Sequence, residues 1–295
     1  MKTAVSRFVR IRSLRYHVRT WGEPADPPLL LLHGWMDVSA SFQFVVDELR
    51  HRWHVIAPDW RGFGLSEWAP DGYWFPDYLA DLDVLLDTFC PGAPAAMVGH
   101  SMGGNIAGLY AGIRPERIGG LVLAEGFGMK LTSPGQAPDR YGRWLDQLRT
   151  PAGFTSYANL AEVAERLCRN NPRLTPERAR FLAPHWAVPR ADGRWVPAAD
   201  PRHKAVNPVL YRQEEALACW RRITAPTLWV WGGDPEWMRN FAGDDPADWA
   251  RRREAFAHLS ECRIGAAGHM MHQDNPAGFT RAIESFLRES RIPEP

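Results

Sequence analysis

The residues with the clearest chemical promise are Gly99-His100-Ser101-Met102-Gly103, which fit the spacing G-x-S-x-G. AAMV precedes them with the character of a buried strand, and NIAGLYAGI follows with that of a helix. A serine in so sharp a strand-to-helix turn is held in strained geometry with its hydroxyl exposed, while flanking glycines keep side-chain bulk away. The helix N-terminus behind it favours developing negative charge. Ser101 is therefore the candidate nucleophile. A dinucleotide-binding loop fails on spacing, because Gly99, Gly103 and Gly104 do not make G-x-G-x-x-G. A second oddity is LVLAEGFGM, residues 121–129, where an apolar run leads into Glu125. A carboxylate in the protein interior is costly unless something pairs with it.

The surrounding pattern supplies elements to position these groups. VSRFVRI and LRYHVRT read as two short strands, and PPLLLLHGW and WHVIAPDWRGFG as strands covered on both faces. SFQFVVDELR and residues 77–89, DYLADLDVLLDTF, carry apolar residues at helical spacing. After the GHSMG turn and its helix comes the strand GGLVLAEGFG. The alternation predicts an α/β fold, with a mostly parallel twisted sheet and helices on both faces. It breaks after residue 129. Residues 130–222 are rich in Pro, Arg and Trp, with helices predicted near 140–149, 159–169 and 176–183. The sheet pattern resumes at TAPTLWVWGGD, followed by helix WARRREAFAHL, strand CRIGAAGH and helix AGFTRAIESFL. The expected organisation is a core domain of residues 1–129 and 223–295 carrying a helical lid insertion at 130–222.

LLLLHGW, DWRGFGLS, GHSMGG and AGHMMHQDNP occur in that order, and with them the chain resembles the α/β-hydrolase family over nearly its whole length. The resemblance implies Ser101 as nucleophile and His269 as its general base. It places the oxyanion hole at the backbone N–H groups of Trp35 and Met102. The family's acid usually stands in a G-x-x-D turn after the seventh strand. Here that turn reads WGGDPEW, with Asp234 one residue short. Glu125 follows Ser101 by 24 residues, a separation like that in a group of haloalkane dehalogenases that take their acid from the sixth strand. Both acids stay open, with Glu125 preferred. Its strand should lie between those carrying the other two partners, and Gly126 and Gly128 would leave room for an imidazole. A serine nucleophile disfavours haloalkane dehalogenase and epoxide hydrolase chemistry, which need a carboxylate in its place.

Composition excludes several classes. The 295 residues have a formal net charge of +1, which calls for neither nucleic acid nor an anionic membrane. The N-terminal stretch has no long apolar core, so neither a secretory signal nor a membrane span is expected, and the default location is the cytoplasm. Four cysteines without C-x-x-C spacing read as free thiols. His269 and His272 in HMMH suggest a metal pair, but no third ligand is near in sequence, so no metal or cofactor is expected. His33 reads as structural. Trp35 and His100 are candidate substrate contacts, and fourteen tryptophans, among them Trp144, Trp186, Trp195 and Trp220, suggest an apolar pocket with few fixed charges. Arg140, Arg143 and Arg149 read as a solvated helix face. The predicted function is hydrolysis of a carboxylic ester, lactone or thioester by a Ser-His-acid triad, in a monomer or homodimer that binds a small molecule. C–C bond hydrolysis, amide cleavage, cofactor-free perhydrolysis and a non-catalytic receptor are the alternatives.

Overall fold

The computed structural model describes residues 1–233, 239–240 and 242–290. Its strands are β1 (Val5–Ile11), β2 (Leu14–Trp21), β3 (Pro28–Leu32), β4 (His54–Pro58), β5 (Ala95–His100), β6 (Ile118–Ala124), β7 (Ala187–Pro189), β8 (Trp195–Pro197), β9 (Thr227–Trp231) and β10 (Leu259–Arg263). Eight of them form one sheet in the order β1-β2-β4-β3-β5-β6-β9-β10, antiparallel at β1/β2 and β2/β4 and parallel elsewhere. β6 thus lies between β5, which leads to Ser101, and β10, which leads to His269. The edge strand β1 turns Ser6, Arg7 and Arg10 to solvent, and charge on an edge discourages pairing with another chain.

Alternate residues of the central strands feed two cores. Leu30 and Leu32 of β3 point to one face, and Leu29 and Leu31 to the other. The first face is covered by α2 (Phe75–Phe89), α3 (Met102–Ile113) and α7 (Gln213–Trp220), and the second by α1 (Gln43–Glu48) and α10 (Pro276–Glu289). Between β6 and α7 run α4 (Ala137–Arg149), α5 (Leu160–Asn170), α6 (Pro176–Trp186) and the β7/β8 ribbon. Helices α5 and α6 start at the side-chain caps of Asn159 and Thr175 and enclose a third core around Val163, Leu167, Ala179 and Leu182. Helix α7 packs differently. Ala216, Leu217 and Trp220 belong to the sheet's own core, and a Cβ on Gly112 of α3 would stand 1.9 Å from the Cys219 carbonyl oxygen.

The last predicted helix before β10 is shorter than its periodicity suggests. Helix α8 (Pro246–Glu254) stops before Ala255, and Leu259 already belongs to β10. Ala255 and Phe256 N–H groups reach back only three residues, and Phe256 turns inward against Trp220 and Trp229. The short α9 (Met271–Asp274) precedes α10. No helix among the described residues is long and apolar enough to cross a membrane. All four cysteines are free.

Candidate active site

Ser101 has φ 52° and ψ −115°, a conformation that L-residues avoid and that packing must enforce. A Cβ on Gly99 would lie 2.4 Å from the Gly103 carbonyl oxygen, and one on Gly103 would lie 2.2 Å from that of Leu32. Only bare backbone fits there. The Ser101 N–H donates to the Ala124 carbonyl at 2.8 Å, tying the turn to the end of β6. Met102 opens α3, so its N–H is among those without a carbonyl one turn back in the helix.

The loop after β3 closes on the same serine. A Cβ on Gly34 would come within 3.1 Å of Ser101 Cβ, which brings the loop that continues to Trp35 beside Ser101. His33 holds this loop from behind. Its Nε2 accepts from the Trp60 N–H at 2.9 Å and its Nδ1–H donates to the Gly34 carbonyl at 2.8 Å. The structural reading of His33 agrees with these bonds.

Glu125 is 2% exposed and, like Ser101, has a positive φ of 53°. Its N–H donates to the Val230 carbonyl at 3.0 Å, and its Oε1 accepts from the Gly232 N–H at 2.7 Å. The second carboxylate oxygen lies 3.9 Å from His269 Nδ1, an ion-pair separation longer than a hydrogen bond. Glu125 therefore faces the end of β9 and the imidazole of His269. Asp234, the other candidate acid, lies outside the described residues. Gly126 has a different role from leaving room for an imidazole: a Cβ there would sit 2.6 Å from Gly104 Cα, so the pair lets α3 pass against the exit of β6. Gly128 supplies φ 89° beside Tyr211 and Trp220. Arg252 of α8, fully buried and paired with Asp248 at 2.7 Å, donates to the carbonyls of Phe127 and Met129 and fixes the chain leaving Glu125.

His269 sits in the loop after β10. Burial pushes its ring below the usual histidine value, against the opposing pull of Glu125. Its loop is held at several points. The Gly268 N–H donates to Asp274 Oδ2 at 2.8 Å, and Asn171 after α5 donates to Asp274 Oδ1 at 2.7 Å. Arg178 of α6 donates to the Gln273 carbonyl at 2.6 Å. These latches from α5 and α6 were not visible in the sequence, where Asn171 and Arg178 carry no motif. His100 has a similar task. It is 1% exposed, and its Nε2–H donates to the His269 carbonyl at 2.7 Å. The same ring also lines the cavity of Ser101, so it both holds the His269 backbone and faces the pocket.

Ser101, His269, Gly34, Trp35 and Met102 all line one cavity of about 890 Å³. Trp35, Trp74 and Trp144 contribute indoles to its wall. Trp220 is instead in the sheet core, and Trp186 and Trp195 pack against the third core. The wall also carries more charge than expected, from Asp71, Asp77, Arg140, Arg202 and Lys204. Arg140 is therefore not simply solvated. A second cavity of about 540 Å³ shares Trp74, Phe75, Asn105, Met129, Arg140 and Asn207 with the first.

Such a constellation, a strained serine at a helix N-terminus with a histidine from the last loop on the same cavity, is the site architecture of α/β hydrolases. The family model for the alpha/beta hydrolase fold matches residues 27–276, and the chain belongs to that family. Among its relatives, the serine hydrolase-like protein of Danio rerio is 28% identical over 306 residues, covering 98% of this chain and 90% of that one. Epoxide hydrolase 4 of Mus musculus is 35% identical over 304 residues, covering 96% and 79%. A thioesterase domain from the curacin biosynthetic pathway superposes with a TM-score of 0.85 at 24% identity, over 96% of this chain and 99% of that one, and shares the fold.

Proposed function

We propose that the protein is a serine hydrolase acting on a carboxylic ester, lactone or thioester of a mainly apolar small molecule. The observation that carries this reading is Ser101, held at φ 52° on the wall of the cavity that His269 also lines. In the proposed reaction His269 takes the Ser101 proton as Oγ attacks the carbonyl carbon. The N–H groups of Trp35 and Met102 hold the oxyanion, and Glu125 stabilises the imidazolium as the triad's acid. His269 then protonates the leaving alcohol or thiol, and water repeats the sequence to release the acid. No step needs a metal or organic cofactor. Helices α4–α6 would act as the lid of the cavity.

The mouse relative's name raises epoxide opening as a second reading. Attack by a serine alkoxide on an epoxide carbon gives an ether, which has no carbonyl for water to attack. A carboxylate nucleophile gives an ester, which has one. Ser101 thus favours acyl chemistry. Labelling with a fluorophosphonate probe, followed by a panel of esters, lactones, thioesters, amides, vinylogous diketones and epoxides with Ser101→Ala as control, tests the choice. Turnover of esters that depends on Ser101 is expected. Faster turnover of a diketone, an amide or an epoxide would replace the ester reading, and a folded protein with no labelling at Ser101 would point to a receptor.

A further inference from the structure

Beneath the nucleophile, Asp37, His100 and His272 meet in a buried cluster that the proposed reaction does not consume. Their potential ligand atoms lie within 4.8 Å of one another, and theirs is the one such three-residue group among the described residues. His100 and Asp37 are held by further bonds, whereas His272 bonds only Asp37 and its Nδ1 is buried without a partner among the described residues. The Nε2–H of His100 is committed to the His269 carbonyl, so its Nδ1 presents a bare lone pair. That atom is buried with no hydrogen-bond partner among the described residues. An imidazole whose far nitrogen donates to a backbone carbonyl is the usual arrangement of a metal-bound histidine.

Asp37 Oδ2 stands 3.1 Å from His272 Nε2. An ion with bonds of about 2.0–2.1 Å to both would see them at about 100°, between tetrahedral and octahedral angles. Asp37 is itself oriented by the Val38 N–H on Oδ1 at 2.9 Å and the Ser41 hydroxyl on Oδ2 at 2.8 Å. The ion also has a way in, since Asp37 and His100 both line the cavity of Ser101. In the sequence, His269 and His272 have no third ligand nearby. The fold supplies two, from the loop after β3 and the end of β5, and leaves His269 out.

We propose that Asp37, His100 and His272 form a site for a borderline-soft divalent transition cation such as Zn²⁺, and that its occupation inhibits the hydrolase. Two imidazole nitrogens and one carboxylate oxygen suit Zn²⁺ or Co²⁺ better than Mg²⁺ or Ca²⁺. The His100 bond to the His269 carbonyl is kept on coordination, and the ion with its remaining ligands takes up the part of the Ser101 cavity that Asp37 and His100 line. The inhibitory half rests on the function proposed above, but the binding half does not.

The full chain, stripped with a chelator, is titrated calorimetrically with Zn²⁺, and the wild-type zinc complex is measured by X-ray absorption at the zinc edge. One ion per chain is expected, with nitrogen and oxygen ligands and the scattering signature of two imidazoles. Sulfur at about 2.3 Å would assign the ion to a cysteine and overturn the site, as would absence of stoichiometric binding. His272→Gln and His100→Gln, checked for folding by circular dichroism, are expected to weaken binding about 100-fold, and unchanged affinity in a folded variant overturns the assignment. The edge spectrum of the wild type decides the matter even where a variant does not fold. Ester hydrolysis is expected to fall over the same Zn²⁺ range and to recover with chelator. Binding without inhibition overturns the inhibitory half, and absence of hydrolysis in metal-free protein overturns the preceding function while the ligand spectrum still decides the site.

Discussion

Two neighbouring parallel strands end in the same unusual way. β5 runs into Ser101 at φ 52°, and β6 runs into Glu125 at φ 53°, each a non-glycine residue where glycine would be easier. What holds them there differs. The Ser101 turn is held by close backbone packing, Gly99 against Gly103 within the turn and Gly103 against the end of β3. The Glu125 turn is enforced from far along the chain, by the Val230 carbonyl, the Gly232 N–H and the guanidinium of Arg252. A strained residue costs on the order of 1–3 kcal/mol, offset in the first turn mainly by glycine-permitted packing and in the second mainly by hydrogen bonds from far along the chain.

Removing the first residue should have the largest effect. Ser101→Ala is expected to abolish fluorophosphonate labelling and lower kcat by about 10⁴–10⁶, read in a steady-state ester assay. The second turn is tested by Glu125→Gln, for which kcat should fall by about 10⁴ while Asp234→Asn stays near normal. The opposite ranking would move the acid to Asp234 and reduce Glu125 to a brace for Gly232. The contact between the two turns comes next. Gly126→Ala forces a methyl against Gly104 and should lower unfolding stability by about 1–3 kcal/mol in urea titration, whereas Gly135→Ala, in open space, should change it by less than about 0.5 kcal/mol.

The smallest effect concerns the ring that both turns serve. Burial lowers the pKa of His269, so the neutral base persists below the ordinary value of 6.5, and the acid limb of kcat/KM should lie below that pH. Glu125→Gln removes the opposing pull and should move the limb lower still. The same sign governs stability. His33 and His100 also have lowered values, so the unfolded chain binds more protons around pH 6. Stability present above 6.5 is then lost as pH falls, and thermal melting between pH 7 and pH 5 would show it.

The contrast between the turns also marks what the sequence reveals. β3, β4, β5, β6 and β9 are legible because strands covered on both faces need continuous apolar runs, and the GHSMG turn because its serine and both glycines fall within five residues. The end of α8 is not, since the periodicity continues while Phe256 is drawn inward by Trp220 and Trp229. Nor is the membership of α7 in the sheet core, which depends on Gly112 in another helix. Glu125 is conspicuous as a buried charge, but its partners at Gly232 and His269 stand more than a hundred residues away. His100 lines the pocket, as its place beside Ser101 suggests, but only the folded chain shows its ring held by the His269 carbonyl.

Along α3, Gly104 meets Gly126 and Gly112 meets Cys219, with no atom to spare at either contact. A shaft keyed at two points about two turns apart cannot slide or roll. Ser101, at the head of that helix, therefore keeps one fixed address.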